Sequence, residues 1–120
     1  MAERHVSGRT ARRILKAVKR QVDHPRLTDI PVSIALRALS DPVRLRIVRT
    51  LARNGEQCCG DCGIPMPKPT LSHHFKVLRE AGIIRVRLDG TQRCISLRRP
   101  DVDVRFPGLL DSVLEAPEPF

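Results

Sequence analysis

Apolar residues recur along this chain with different periods, and each block predicts an element. Leu71, Phe75 and Leu78 fall at i, i+4 and i+7, which makes one face of a helix beginning near Pro69 apolar. Proline suits a first helical turn, where N–H groups lack intrahelical partners. Pro69, Ser72, His73 and Lys76 fall on the opposite face, and Gly82 stops the helix at a left-handed position. Two strands, residues 84–88 and 91–95, flank Asp89-Gly90, a strong short-range hairpin signal. Upstream, residues 32–39 read as a short helix. Asp41-Pro42 then reads as N-cap and N1 of a helix running to about Asn54. Leu45, Val48 and Ala52, with Ile47 and Leu51 beside them, supply its buried face, and Arg44, Arg46, Arg49 and Arg53 surround the remainder. Residues 56–63 have room for one short helical turn, and the proline-rich stretch 64–69 reads as a loop. After a break at Arg98-Arg99-Pro100, the positions Phe106, Leu109, Leu110, Val113 and Leu114 follow i, i+3, i+4, i+7, i+8. They predict a final amphipathic helix with Pro107 in its first turn.

This pattern divides the chain into a basic N-terminal arm or helix (1–30), a domain (31–115) and a frayed tail (116–120). The arm carries Arg4, Arg9, Arg12, Arg13, Lys16, Lys19, Arg20 and Arg26, with a weak helical stripe at Ile14, Leu15, Val18 and Val22. The fold class is mainly α with a β-hairpin wing. With 120 residues, no Trp, no Tyr and three Phe, the chain packs a modest aliphatic core. A core of that size gains from a partner chain that covers its remaining apolar surface.

Charge narrows the partner. A net charge of +9 favours a polyanion, because each phosphate contact releases condensed counterions. No apolar run is long enough to span a bilayer, so no membrane partner is assigned. Four cysteines without an export signal suggest a reducing, cytoplasmic and nucleoid-associated setting with free thiols. A helix with a short, polar and basic face, followed by an arginine-bearing hairpin, is a DNA-binding arrangement. Ser72 and His73 are base-edge candidates, Lys76 a phosphate or guanine candidate, and Arg85, Arg87 and Arg93 wing candidates. Arg85 and Arg87 share a strand face, and Arg93 sits opposite Val86. His74 falls beside Leu71 and Leu78 and flanks the core. There is no glycine-rich phosphate loop, Ser-His-Asp arrangement or paired buried carboxylates, so no enzyme is expected. Asp101 and Asp103 read as surface or capping residues before the last helix.

The blocks 36–48 (LRALSDPVRLRIV) and 71–84 (LSHHFKVLREAGII), with the Asp89-Gly90-Thr91 turn, resemble the arsenic-repressor-like (ArsR-type) bacterial regulators. The resemblance covers roughly residues 31–114. It implies a winged helix-turn-helix, a homodimeric transcriptional repressor on a pseudo-palindromic double-stranded DNA operator, with first and last helices at the dimer interface. Leu36, Leu39, Phe106, Leu109, Leu110, Val113 and Leu114 are the interface positions so implied. Lys68, Thr70, Ser72, His73 and Lys76 match the positions that family uses on DNA. Pro67 departs from the capping serine usual there. Metal-sensing members carry a cysteine cluster near Cys58-Cys59-Gly60-Asp61-Cys62. Cys58 and Cys62 at i, i+4 on a helix would face one ion, and three thiols suit a trigonal soft-metal site rather than tetrahedral zinc. The alternative is that they pack as small hydrophobes. No metal or cofactor is assigned, and no effector is named. A metal- or thiol-responsive repressor using Cys58, Cys59 and Cys62 stays open, as does an architectural nucleoid protein binding by charge alone. Cys94 is given no role.

Overall fold

The computed structural model describes residues 23–58 and 63–120. The arm stripe from Ile14 to Val22, and the readings on Cys59 and Cys62, lie outside the described residues. A short 3-10 turn at Leu27–Asp29 is followed by α1 (Val32–Ala38), α2 (Pro42–Asn54) and α3 (Lys68–Glu80). Then come β1 (Ile84–Asp89), β2 (Gln92–Leu97), α4 (Arg99–Arg105) and α5 (Leu109–Glu115). The architecture is the mainly helical, hairpin-bearing class that the apolar periods predict.

Helix α2 starts where the cap residue places it. Asp41 Oδ2 accepts hydrogen bonds from the backbone N–H of Val43 (2.9 Å) and Arg44 (3.1 Å). Its buried face is Ile47, Val48 and Leu51, while Leu45 is half-buried and Ala52 exposed. The burial centres between the two stripes read from sequence, because the neighbours on which a helix lies choose among its apolar positions. Helix α3 ends in a Schellman arrangement: Ile83 N–H donates to Leu78 O and Gly82 N–H to Arg79 O, both at 3.0 Å. Gly82 has φ +78°, and a Cβ there would lie 2.6 Å from Leu27 Cδ2. Both backbone angle and space therefore require glycine.

The hairpin loop is Gly90-Thr91, since Asp89 pairs with Gln92. Gly90, with φ +64°, occupies the first central position, where both favoured two-residue turns need a positive φ. This one-residue displacement corrects the wing register. Val86 pairs with Ile95, Arg87 with Cys94 and Leu88 with Arg93, so Arg93 is diagonal to Val86 rather than opposite it. Of the stretch 56–63, where one short helical turn is expected, residues 59–62 lie outside the described residues. Gln57 exchanges backbone hydrogen bonds with Ile95 (2.9 and 2.8 Å) and adds a short third strand to the wing.

The C-terminal region departs further. Pro100 lies in the first turn of α4, which places Asp101 and Asp103 within a helix instead of ahead of one. Gly108 (φ +82°) then separates α5. Phe106 and Leu110 are buried in the chain's own core, as is Leu39. Those three implied interface residues are already enclosed within one chain. Leu109, Val113 and Leu114 pack half-buried against that core, and Leu36 remains half exposed. Leu27 and Ile30, read as part of the arm, also join the core. At the tail, residues 115–119 are exposed, while Arg49 donates to Leu114 O and Ala116 O and lies over the Phe120 ring.

Candidate nucleic-acid interface

The apolar stripe of α3 is what exposes the opposite face. Leu71, Phe75 and Leu78 are buried, so Lys68, Thr70, His73 and Lys76 are turned outward and Ser72 lies half-buried at the edge. Pro67 supplies no side-chain cap. The first-turn N–H groups of α3 are thus free of any capping side chain, and the positive end of the helix dipole favours an anion there.

The wing closes one side of this face. Residues on one side of a strand alternate with those on the other. Val86, Leu88 and Arg93 share the inner side and, with Ser72, Phe75, Lys76 and Arg79, line a groove of about 430 Å³. Arg93 Nη1 reaches Ser72 Oγ at 3.4 Å. Arg85 and Arg87 share a strand face, as read from sequence; it is the outer one, and both are exposed. They are counter-charged: Arg85 approaches Asp101 at 3.9 Å, and Arg87 pairs with Glu56 at 2.9 Å and Asp89 at 3.9 Å. The Arg87 hydrogen bond holds the Glu56 carboxyl below its ordinary range, and Glu56 in turn raises Arg87. Arg93, Lys68 and Lys76 have no carboxylate partner among the described residues. The structure therefore brings Ser72, Lys76 and Arg93 together and sets Arg85 and Arg87 apart.

Much of the remaining positive charge serves the fold. Arg44 donates to Ala38 O (2.6 Å) and Arg37 O (3.3 Å), capping α1. Arg79 donates to Asp23 O (2.6 Å), Arg98 to Pro25 O (2.8 Å), and Arg105 to Leu27 O and Ile30 O (both 3.0 Å). These contacts fasten residues 23–30 to the domain. His24 joins them, its Nε2 accepting the Val86 N–H at 2.9 Å. Burial, followed by the charges of Arg85, Arg98 and Arg79, lowers the His24 pKa. His74 flanks the core as predicted. Its Nδ1 lies 3.2 Å from Arg44 Nη1 and 3.9 Å from Asp41 Oδ2, which links α3 to the start of α2.

A family model described as bacterial regulatory protein, arsR family, matches residues 41–86, from the α2 cap into β1. The uncharacterized HTH-type transcriptional regulator YceK of Bacillus subtilis (strain 168) is 41% identical over 80 residues, spanning 64% of this chain and 80% of that relative. The chain belongs to the ArsR family of bacterial transcriptional regulators. Solved structures agree. The transcriptional repressor BigR from Xylella fastidiosa superposes with a TM-score of 0.55 at 30% identity, covering 72% of this chain and 88% of that one. A possible transcriptional regulator for arsenical resistance gives 0.53 at 30% identity, covering 69% and 96%. ArsR-family proteins are transcriptional regulators, a class that is not enzymatic, and DNA binding is implied by the family.

Two residues at the wing escaped sequence reasoning. Cys94 forms a disulfide with Cys58 across 36 positions, which corrects the expectation of free thiols for these two cysteines. It also removes Cys58 from the helical three-thiol site, since Cys58 is neither on a helix nor a thiolate here. Glu56, two residues earlier, had no signal at all. Glu56, Cys58 and Cys94 place their ligand atoms within 4.8 Å of one another, but two of the three are spent on the disulfide.

Proposed function

We propose that this ArsR-family regulator is a homodimeric repressor that places α3 in the major groove of a pseudo-palindromic operator. Ser72 and His73 contact base edges, while Lys68, Thr70, Lys76 and Arg93 meet phosphate. The juxtaposition of Lys76 and Arg93, neither carrying a carboxylate partner, on either side of Ser72 supports this reading most directly. Their charges are free for phosphate, whereas those of Arg85 and Arg87 are engaged. A second copy covers the half-exposed apolar face at Val32 and Leu36 on α1. Half-sites on such an operator lie about 34 Å apart, one helical turn, or a multiple of that. The protein acts in the cytoplasm, on the nucleoid. No helix among the described residues is long and apolar enough to cross a membrane.

The test is fluorescence anisotropy on duplexes selected from a random pool and on scrambled controls, at several salt concentrations. Ser72→Ala and His73→Ala each reduce the specific-to-scrambled ratio by about 1–3 kcal/mol per good base contact. Arg93→Ala weakens both duplexes alike and lowers the salt slope by about 0.9 per protomer. An unchanged ratio in both helix variants would refute base reading by α3 and favour an architectural protein.

A further inference from the structure

The Cys58–Cys94 disulfide sits where it changes the charge of the DNA-binding wing. Gln57 and Ile95 exchange both backbone hydrogen bonds, so the next residues, Cys58 and Cys94, form a non-hydrogen-bonded pair. Side chains are closest at such pairs, and the two Cα atoms lie 4.0 Å apart. Arg87 is the register partner of Cys94 on β1. Cys58, Cys94 and Arg87 thus form one row across three strands. Glu56 lies on the same side of its strand as Cys58, by the alternation of side chains. Its carboxylate receives Arg87 Nη2 at 2.9 Å and Nε at 3.4 Å. One bridging pair of residues is marginal as a strand in water. The covalent bond adds to the two Gln57–Ile95 hydrogen bonds in keeping this acidic segment on the wing edge.

We propose that the Cys58–Cys94 disulfide is a redox latch on DNA binding: while formed, it holds Glu56 on Arg87, and its reduction releases that arginine to phosphate. This rests on the operator-binding reading above. The reductant is a thiol, either a low-molecular-weight one or a dithiol protein. Its thiolate attacks Cys58 Sγ, because Cys94 is fully buried and Cys58 only half so. The Cys58–Cys94 bond breaks as the mixed disulfide forms at Cys58, and Cys94 leaves as a thiolate beside the Arg87 strand, then takes a proton. A second reductant thiol resolves the mixed disulfide and releases the Cys58 thiol. The net reaction converts one protein disulfide and two reductant thiols into two cysteine thiols and one reductant disulfide. Two electrons and two protons pass to the protein. Bacterial DNA lies in a compartment kept reducing, where a disulfide that forms is usually transient and redox-sensing.

The experiment uses the full chain in two states, treated with a dithiol reductant or a mild thiol oxidant. Peptide mapping after alkylation scores the 58–94 bond, and anisotropy on specific and scrambled duplexes scores binding against salt. The bond forms on oxidation. The reduced protein binds both duplexes more tightly, and its log K falls with log salt about 0.9 more steeply per protomer. Glu56→Gln still forms the bond but abolishes the difference between states, and Cys58→Ala behaves as reduced under both treatments. Arg87→Ala lowers the slope of the reduced protein and leaves the oxidised one unchanged. Failure to form the bond, or equal slopes in the two states of the wild type, overturns the latch. Loss of discrimination between specific and scrambled duplexes in both states overturns the operator reading instead, because the slope on the scrambled duplex still reports the latch.

Discussion

Two leucines that look alike in the sequence should behave in opposite ways. Leu110 on α5 is fully buried, and Leu36 on α1 is 50% exposed. Leu110→Glu removes a core side chain, for which truncation alone costs about 2–5 kcal/mol. It also strands a carboxylate among Leu, Ile and Phe side chains, at a further cost of a few kcal/mol. Total stability of a small domain is about 5–15 kcal/mol, so this variant is expected to be unfolded or close to it. Leu36→Glu costs a single chain no more than about 0.5 kcal/mol, the usual range for surface changes. It does put a charge into the apolar face that Val32 and Leu36 present, and a dimer using that face dissociates. Sedimentation velocity at micromolar concentration, with urea unfolding followed by circular dichroism, separates the outcomes. A folded monomer for Leu36→Glu and an unfolded chain for Leu110→Glu are expected. A Leu36→Glu dimer would place the partner elsewhere. A folded, monomeric Leu110→Glu would show that Leu110 faces a second copy rather than its own core.

Asp41→Ala removes the acceptor for two N–H groups of α2 and should cost about 1–2 kcal/mol in urea unfolding. Gly82→Ala meets both a left-handed backbone and Leu27, and should lower the urea midpoint by more than Asp41→Ala does, with strain of about 1–3 kcal/mol from the backbone alone. His24 must be neutral for Nε2 to accept the Val86 N–H, and its pKa lies below the ordinary 6.5. The unfolded chain then binds more protons between the folded pKa and 6.5, so stability is fully present above that range and falls as pH drops through it. His24→Phe should flatten that part of the stability–pH curve measured by urea titration, and an unchanged curve would remove His24 from the account.

Local signals in this sequence were strong wherever the backbone itself set the outcome. The Asp41-Pro42 start, the Leu71, Phe75, Leu78 stripe and the Gly82 stop each follow from groups a few residues apart, and each stands where it was read. The hairpin was legible for the same reason, but its register was not. Asp89-Gly90 and Gly90-Thr91 both place a glycine in the turn, and only packing of Val86 and Ile95 into the core chooses between them. The outward face of α3 was readable because its inner stripe was. Which wing arginine stands free was not readable, since Arg87 and Glu56 are 31 residues apart and Arg85 and Asp101 likewise meet only through the fold. The same holds for the thiols. Nothing in the spacing of Cys58 and Cys94 pairs them, and a Cys-Cys-Gly-Asp-Cys run draws attention to the wrong neighbours. Their bond depends on a strand that exists only because Gln57 finds an edge of β2 to hydrogen-bond. The last helix shows the limit most plainly. Its apolar period was visible, but a period says that a face is buried and not by what, and here the chain's own core takes Phe106 and Leu110.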